Sequence, residues 1–285
     1  MLSYQHTYHA GGPADVHKHI ALCLLLEHLA KKDKPFSVID LYAGEGDYDL
    51  AGFAAQKTQE YKEGVAQLWN ATGAPRGVHE YLEALRRLNP DGVLKRYPGS
   101  PALARVYMRD DDSLILNELH ATAFPNLGRW ARKDDRITVH KRDGLEAMVG
   151  LTPPKIRRGL VLIDPSYEVK TEYTTVPEKL AESVKKWREG MYVVWYPVLK
   201  EGRHQALLDG IKEQVDGEIF HCELSLSTVK PGEATPGLRG TGLVVVNPPW
   251  KFDADMTTAG NWIAKTFGRG KHFARWIKKS ETQES

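Results

Sequence analysis

The stretch "LVLIDPSYE", Leu160 to Glu168, is an apolar run that stops abruptly at an acid, a proline and an aromatic residue. A run of this length, rich in Leu, Val and Ile and closed by turn residues, predicts a strand buried on both faces of a parallel sheet. Such a strand brings the Asp164 carboxylate, the Pro165 carbonyl and the Tyr167 ring to one edge of the sheet. A near twin, "LVVVNPPW" at Leu243 to Trp250, competes for the same role.

Working outward, the same pattern recurs in "FSVIDLY" (Phe36 to Tyr42), "SLILNEL" (Ser113 to Leu119), "ITVH" (Ile137 to His140), "MYVVWYP" (Met191 to Pro197), "EIFHCELSL" (Glu218 to Leu226) and "TGLVVVN" (Thr241 to Asn247). Helical patterns separate most of these runs, as βαβ units require. The expectation is an α/β, Rossmann-like fold with a seven-stranded, mostly parallel sheet. The last two runs are joined by "STVKPGEATPGLRG", which has no helical period, so they predict an antiparallel pair at one edge.

One interval breaks the alternation. Between "AGEGDYDL" and the second strand lie helical patterns such as "EYKEGVAQLWN" and "VHEYLEALRRL". Residues 47–98 therefore read as an inserted helical subdomain, and residues 1–46 with 99–285 as the main domain. The insertion closes at "RYPGSP", where Pro98 and Pro101 bracket a turn and Ser100 is placed to cap the next helix.

At 285 residues the chain is long enough to bury a full core, and 39 basic against 37 acidic residues leave a formal charge of only +2. Any nucleic-acid surface must come from clustering. Cys23 and Cys222 are too few for a disulfide framework. The opening residues lack the basic and apolar blocks of a signal peptide, and no apolar run approaches bilayer length. A cytoplasmic protein is expected, with "KKSETQES" (Lys278 to Ser285) as a disordered tail. His6, His9, His17 and His19 sit with Asp15 near the start, but their spacing fits no standard zinc pattern, and no metal is expected.

"IDLYAGEG" places Gly44 and Gly46 after the first strand, where glycines let a ligand approach the backbone. The dinucleotide fingerprint wants a third glycine where Asp49 stands. Asp47 and Asp49 would repel a pyrophosphate at a helix start. A cofactor without phosphates, such as S-adenosylmethionine, is favoured over NAD. Glu118 ends the second strand, suited to two ribose hydroxyls; Asp143 and Gly144 follow the third, suited to an adenine amine and ring. Each acid alone is more often a helix cap or surface charge, but three at successive carboxyl ends of strands point to a ligand.

"DPSY" resembles the [Asp/Asn/Ser]-Pro-Pro-[Tyr/Phe/Trp] motif of Rossmann-fold methyltransferases that act on exocyclic amines. Together with "LSYQHTYHAGGPADVHKH", "YPGSP" and "NPPW", it makes nearly the whole chain resemble the RlmJ family, bacterial methyltransferases of an adenine in 23S ribosomal RNA. The resemblance implies a class I methyltransferase fold and S-adenosylmethionine contacts at Lys18, His19, Tyr42, Ser100, Glu118, Asp143, Gly144 and Asp164. It also places Tyr4 at the RNA entrance and implies a monomer acting on free 23S ribosomal RNA. Tyr42 and Ser166 depart from the family pattern.

The chemistry follows from the residues themselves. An adenine amine is a poor nucleophile, because its lone pair is drawn into the ring. Hydrogen bonds to the Asp164 carboxylate and the Pro165 carbonyl would favour the pyramidal nitrogen, and the carboxylate would stabilise the charge that develops there. Tyr167 would stack on a flipped base. Ser166 stands where a second proline would restrict Pro165 to extended geometry, so the site is expected to be less preorganised. "DPSY" is preferred over "NPPW" because it lies next to the first strand, across the topological switch. "NPPW" then reads as a turn whose aromatic packs on the sheet.

Basic residues cluster at Arg86, Arg87, Lys95 and Arg96, at "KIRR" (Lys155 to Arg158), and in "GRGKHFARWIKK". They are candidates for phosphate contacts, with Tyr61, Trp69, Tyr97 and Trp276 as interleaved base stackers. The rivals are the same transfer to DNA or to a protein glutamine amide, and an RNA-binding protein with a vestigial cofactor pocket. A dehydrogenase is more distant.

Overall fold

The computed structural model describes residues 5–226, 238–268 and 270–280. Tyr4, the residues 227–237 that join the last two expected strands, and residues 281–285 of the expected tail lie outside the described residues. In chain order the elements are α1 (Pro13–Ala30), β1 (Ser37–Asp40), β2 (Asp47–Asp49), α2 (Phe53–Thr58), α3 (Glu60–Glu63), α4 (Val65–Leu68), α5 (Arg76–Leu88), β3 (Arg96–Pro98), α6 (Ser100–Tyr107), β4 (Ser113–Asn117), α7 (Ala123–Ala131) and β5 (Ile137–His140). They continue with α8 (Gly144–Leu151), β6 (Gly159–Ile163), α9 (Glu172–Lys186), β7 (Met191–Leu199), α10 (His204–Gln214), β8 (Ile219–Ser225), β9 (Leu238–Val246), α11 (Phe252–Thr266) and β10 (His272–Lys278).

The main sheet has eight strands in the order β10-β8-β9-β7-β6-β1-β4-β5. Pairings from β7 through β6, β1 and β4 to β5 are parallel, while β9 runs antiparallel to both β7 and β8. The seven expected strands all form. The eighth, β10, occupies the edge and pairs antiparallel with β8, so the β8–β9 pair is internal and not terminal. Its sequence, "HFARWIK", carries a basic residue at every third position, His272, Arg275 and Lys278, and charges of this kind suit an exposed edge that must not recruit another strand. The segment has no two-residue alternation of apolar and polar residues, so its sequence carries no strand period.

Helix α1 starts on Pro13 after an extended Gly12, the position where a missing N–H costs nothing. It is apolar around most of its circumference, and Val16, Ile20, Leu22, Leu25 and Leu26 are all essentially inaccessible to solvent. A helix of this kind belongs inside a protein. It lies among α5, α6, α11 and the sheet. The segment 47–98 begins and ends on the two-stranded ribbon β2–β3, in which Asp47 pairs with Pro98. Val78, Tyr81, Leu82 and Leu85 of α5 nevertheless join the same apolar core as β1 and β4. No helix among the described residues is long and apolar enough to cross a membrane.

Candidate active site

Strands β4 and β5 extend the sheet on one side of β1, and β6 returns on the other, so the switch lies between β1 and β6. Open α/β sheets bind ligands at such a point, beyond the carboxyl ends of the strands. A cavity of about 330 Å³ lies there. Asp164 and Pro165 reach it from the end of β6, Tyr42 and Gly44 from β1, and Glu118 from β4. Lys18 and His19 of α1 and Ser100 of α6 complete the set of expected residues that the fold brings together.

Gly44 has φ +62°, and a Cβ there would fall 2.2 Å from the Tyr48 hydroxyl, so both backbone and packing demand glycine. Its N–H donates to Glu118 Oε2 at 2.8 Å, and the N–H of His120 donates to Oε1 at 2.7 Å. Burial raises the Glu118 pKa against the pull of these donors. The chain after Gly44 enters β2, and no helix starts until Phe53. The expected repulsion at a helix start therefore gives way to a simpler fact: this turn has no helix terminus to hold a pyrophosphate. Asp47 faces away and pairs with Arg96, Nη2 to Oδ1 being 2.6 Å.

The centre of the cavity floor is ionic. Lys18 Nζ donates to Asp164 Oδ2 at 2.5 Å and contacts Asp15 Oδ1 at 2.9 Å. Asp15 Oδ2 also accepts from His6 Nε2 at 2.9 Å and from the Gly11 N–H at 3.0 Å. Burial disfavours charge on Lys18, but the two carboxylates more than offset it and hold its pKa above the usual lysine range. Asp15 is likewise fully buried, and its cationic neighbours keep its pKa well below normal despite the desolvation. Along the sequence His6 and Asp15 stand out only as metal candidates. The i, i+3 spacing of Asp15 and Lys18 on one helix was the available sign of this pair.

Asp40 ends β1 with 1% exposure, and burial lifts its pKa to about 6 although the Ser100 hydroxyl hydrogen-bonds to it. Ser100 thus serves Asp40, while Gly99 takes the cap position of α6. His19 is buried, with Nδ1 2.8 Å from the Tyr97 hydroxyl, and desolvation pulls its pKa down to about 3.

Other expected site residues lie elsewhere. Asp143 caps α8, accepting from the N–H groups of Leu145 and Glu146 at 2.9 and 3.1 Å. A Cβ on Gly144 would stand 2.3 Å from the Tyr42 ring, so the glycine makes room for that ring. Neither residue lines the cavity. Tyr167 is 6% exposed with φ 55°, its ring stacks on Tyr173 at 4.6 Å, and its hydroxyl donates to the Trp195 carbonyl at 2.9 Å. Its stacking face is thus occupied by protein. Trp195 does line the cavity wall, beside Tyr42 and Tyr48, and its Nε1 donates to Thr241 Oγ1 at 2.7 Å.

"NPPW" lies at the opposite edge of the sheet, because β9 runs against β7 and Val246 pairs with Tyr192. Asn247 donates to the carbonyls of Arg188 and Gly190, and Trp250 is 83% exposed. The motif is a turn as expected, but its aromatic does not pack on the sheet. Among the basic candidates, Arg86 pairs with Glu83, Lys95 with Asp91 and Arg96 with Asp47, while Arg87 is exposed. Tyr97 is fully buried against His19 and offers no surface for a base.

The family model described as Ribosomal RNA large subunit methyltransferase D, RlmJ, matches residues 33–278. The chain is 39% identical over 280 residues to the Ribosomal RNA large subunit methyltransferase J of Escherichia coli, spanning 97% of this chain and 99% of that one. It is 38% identical over 281 residues to the Haemophilus influenzae protein of the same name, again at 97% and 99%. A crystal structure of a Legionella pneumophila protein superimposes with a TM-score of 0.86 at 34% identity, covering 96% of this chain and 99% of that one. With the family model matching most of its length and full-length relatives at this identity, the chain belongs to the RlmJ family of ribosomal RNA large-subunit methyltransferases.

Proposed function

We propose that this cavity carries S-adenosylmethionine-dependent methylation of the exocyclic N6 amine of an adenine in 23S ribosomal RNA. The observation that carries the reading is the convergence of Asp164 and Pro165 on the cavity that Gly44 and Glu118 enter from β1 and β4, across the switch point.

The residues present fit the cofactor. A 330 Å³ cavity is of ligand size. Glu118 retains lone pairs for ribose hydroxyls beyond its two backbone donors. Lys18 and His19 stand where a carboxylate would be received, and Tyr42, Gly44 and Ser100 form the adjoining wall. The sulfonium cofactor supplies an electrophilic methyl group. Asp143 and Gly144 support this wall through α8 and the Tyr42 ring.

At the acceptor end, Asp164 and the Pro165 carbonyl receive the two N–H groups of the target amine and turn its lone pair toward the methyl. Lys18 fixes one carboxylate oxygen, leaving Oδ1 for the amine. The positive charge that develops on nitrogen is met by Asp164 in a site largely screened from water. Trp195 offers a flat wall for the extruded base, and Tyr167, buried behind the loop, acts as a positioning residue. Substrate RNA is read by residues 47–98 as an inserted unit, with Arg87, Arg86, Lys95 and Arg96 as its phosphate contacts. The reading is completed by a cytoplasmic monomer acting on free 23S ribosomal RNA.

The test is transfer of a labelled methyl group to separate pools of ribosomal RNA, DNA and protein. Label in N6-methyladenine of 23S RNA, abolished in Asp164→Ala with donor binding intact, is expected. Label in DNA or glutamine, or donor binding with no transfer to any pool, would overturn the reading.

A further inference from the structure

Three potential ligands meet where the β10 edge packs beneath α1. His17 comes from α1, Cys222 from β8 and His272 from β10, and their ligating atoms all lie within 4.8 Å of one another. His17 Nε2 is 3.7 Å from Cys222 Sγ, and the two imidazoles meet edge to face at 5.5 Å. His17 and Cys222 are wholly buried. Among the described residues, His17 Nδ1 and both ring nitrogens of His272 lack any hydrogen-bond partner although they are shielded from solvent. Buried polar atoms are almost always paired, and an ion held beside His17 Nε2 and Cys222 Sγ would take up one of the two His272 nitrogens.

The surroundings suit an ion. A Cβ on Gly260 of α11 would come within 2.3 Å of the His272 ring, so only glycine there admits the imidazole. His272 also borders a surface cavity with Asn261, Lys265 and Lys271, which provides an access route. Burial, with the neighbouring imidazoles, depresses the His17 pKa, and burial lowers that of His272 to about 4, so both rings are neutral and carry a free lone pair. None of the three residues lines the Asp164 cavity.

We propose that His17, Cys222 and His272 form a binding site for zinc(II), with water from the outer cavity as fourth ligand. Tetrahedral zinc with nitrogen ligands at about 2.0–2.1 Å and sulfur at about 2.3 Å sets nitrogen and sulfur about 3.5 Å apart. The 3.7 Å between His17 and Cys222 is already close to that edge, and the His272 ligand atom lies within 4.8 Å of both. On binding, the Cys222 S–H bond breaks, its proton leaves to solvent and an S–Zn bond forms, while the imidazoles donate neutral lone pairs. Thiolate and imidazole together select zinc over magnesium or calcium. The site would pin β8 and β10 to α1. Sequence spacing hides it, because its ligands come from three separated elements.

The test uses the full chain freed of metal with a chelator and titrated with cobalt(II), then zinc(II). A thiolate-to-cobalt charge-transfer band saturating at one equivalent, displaced by zinc, is expected, together with a rise in melting temperature on adding zinc. The band should vanish in Cys222→Ser and persist in Cys23→Ser. His272→Phe, at the partly exposed end of the cluster, should weaken cobalt binding by more than the roughly tenfold that loss of an outer-shell partner costs. A cooperatively melting parent with no such band, a band that survives in Cys222→Ser, or unchanged affinity in His272→Phe would each overturn the proposal.

Discussion

The Lys18 ammonium lies 2.5 Å from Asp164 Oδ2 and 2.9 Å from Asp15 Oδ1, so a single buried cation ties the loop after β6 to the first helix. Breaking a buried pair from one side leaves an uncompensated charge, at a cost of about 3–5 kcal/mol. Lys18→Met is therefore expected to lower thermal stability markedly. It should also reduce kcat by about 100-fold, with a smaller change in KM for RNA, because Asp164 loses its orientation. Single-turnover kinetics beside a melting curve would check this. A variant with parental kcat would show that Asp164 needs no such anchor.

Ser166 leaves the Pro165 carbonyl without the restriction that a following proline imposes. Ser166→Pro should raise single-turnover methyl transfer above the parent by about the few-fold that pre-setting one backbone angle provides. A rate at or below the parent would sink this account of the loop.

Trp250 is 83% exposed at the amino-terminal edge of β7, far from the carboxyl ends where the cavity lies. Trp250→Ala is expected to leave kcat and donor affinity within about twofold of the parent, since a surface substitution changes stability little. A loss comparable to that of Asp164→Ala would return the "NPPW" segment to candidacy.

Arg87 is exposed at the carboxyl end of α5, and Arg86 beside it is half engaged with Glu83. Reversing both charges, Arg86→Glu with Arg87→Glu, should weaken RNA binding by about tenfold or more and flatten its salt dependence. Donor affinity should not move. Filter binding at two salt concentrations with calorimetry of the donor would decide it, and equal loss of both affinities would defeat it.

Asp40 supplies a pH dependence whose sign can be worked out. Burial raises its folded pKa to about 6 from an ordinary value of 3.8. Between those values the folded state holds a proton that the unfolded state has released, so stability falls as pH rises from about 4 to about 6. The full effect corresponds to about 3 kcal/mol. Asp40→Asn should remove that decline, visible as a flatter plot of melting temperature against pH across this window. A plot as steep as the parent's would assign the slope to other groups.

How far the sequence reached can be judged from particular residues. Val and Leu runs ending in Asp40, Glu118 and Asp164 were enough to name the strands, their parallel pairing and the edge at which acids collect, because a two-sided burial pattern and a polar terminus are local properties. The β10 strand escaped because His272, Arg275 and Lys278 fall three residues apart, a spacing without the two-residue period of a strand. Tyr167 illustrates a different limit: its type suggested stacking, but a left-handed backbone turns its ring into the core against Tyr173.

The sequence by itself determined the class of fold, the order of its units and the carboxylate-carbonyl edge, since each depends on neighbours along the chain. Only the tertiary structure decided which groups share a space. It set Lys18 between Asp15 and Asp164, put Trp195 on the cavity wall in place of Tyr167, sent Trp250 to the far edge, and gathered His17, Cys222 and His272. The physical reason is that helix and strand periods act over a few residues, whereas these meetings depend on how α1 lies among the sheet and α11, a long-range packing solution that no local pattern encodes.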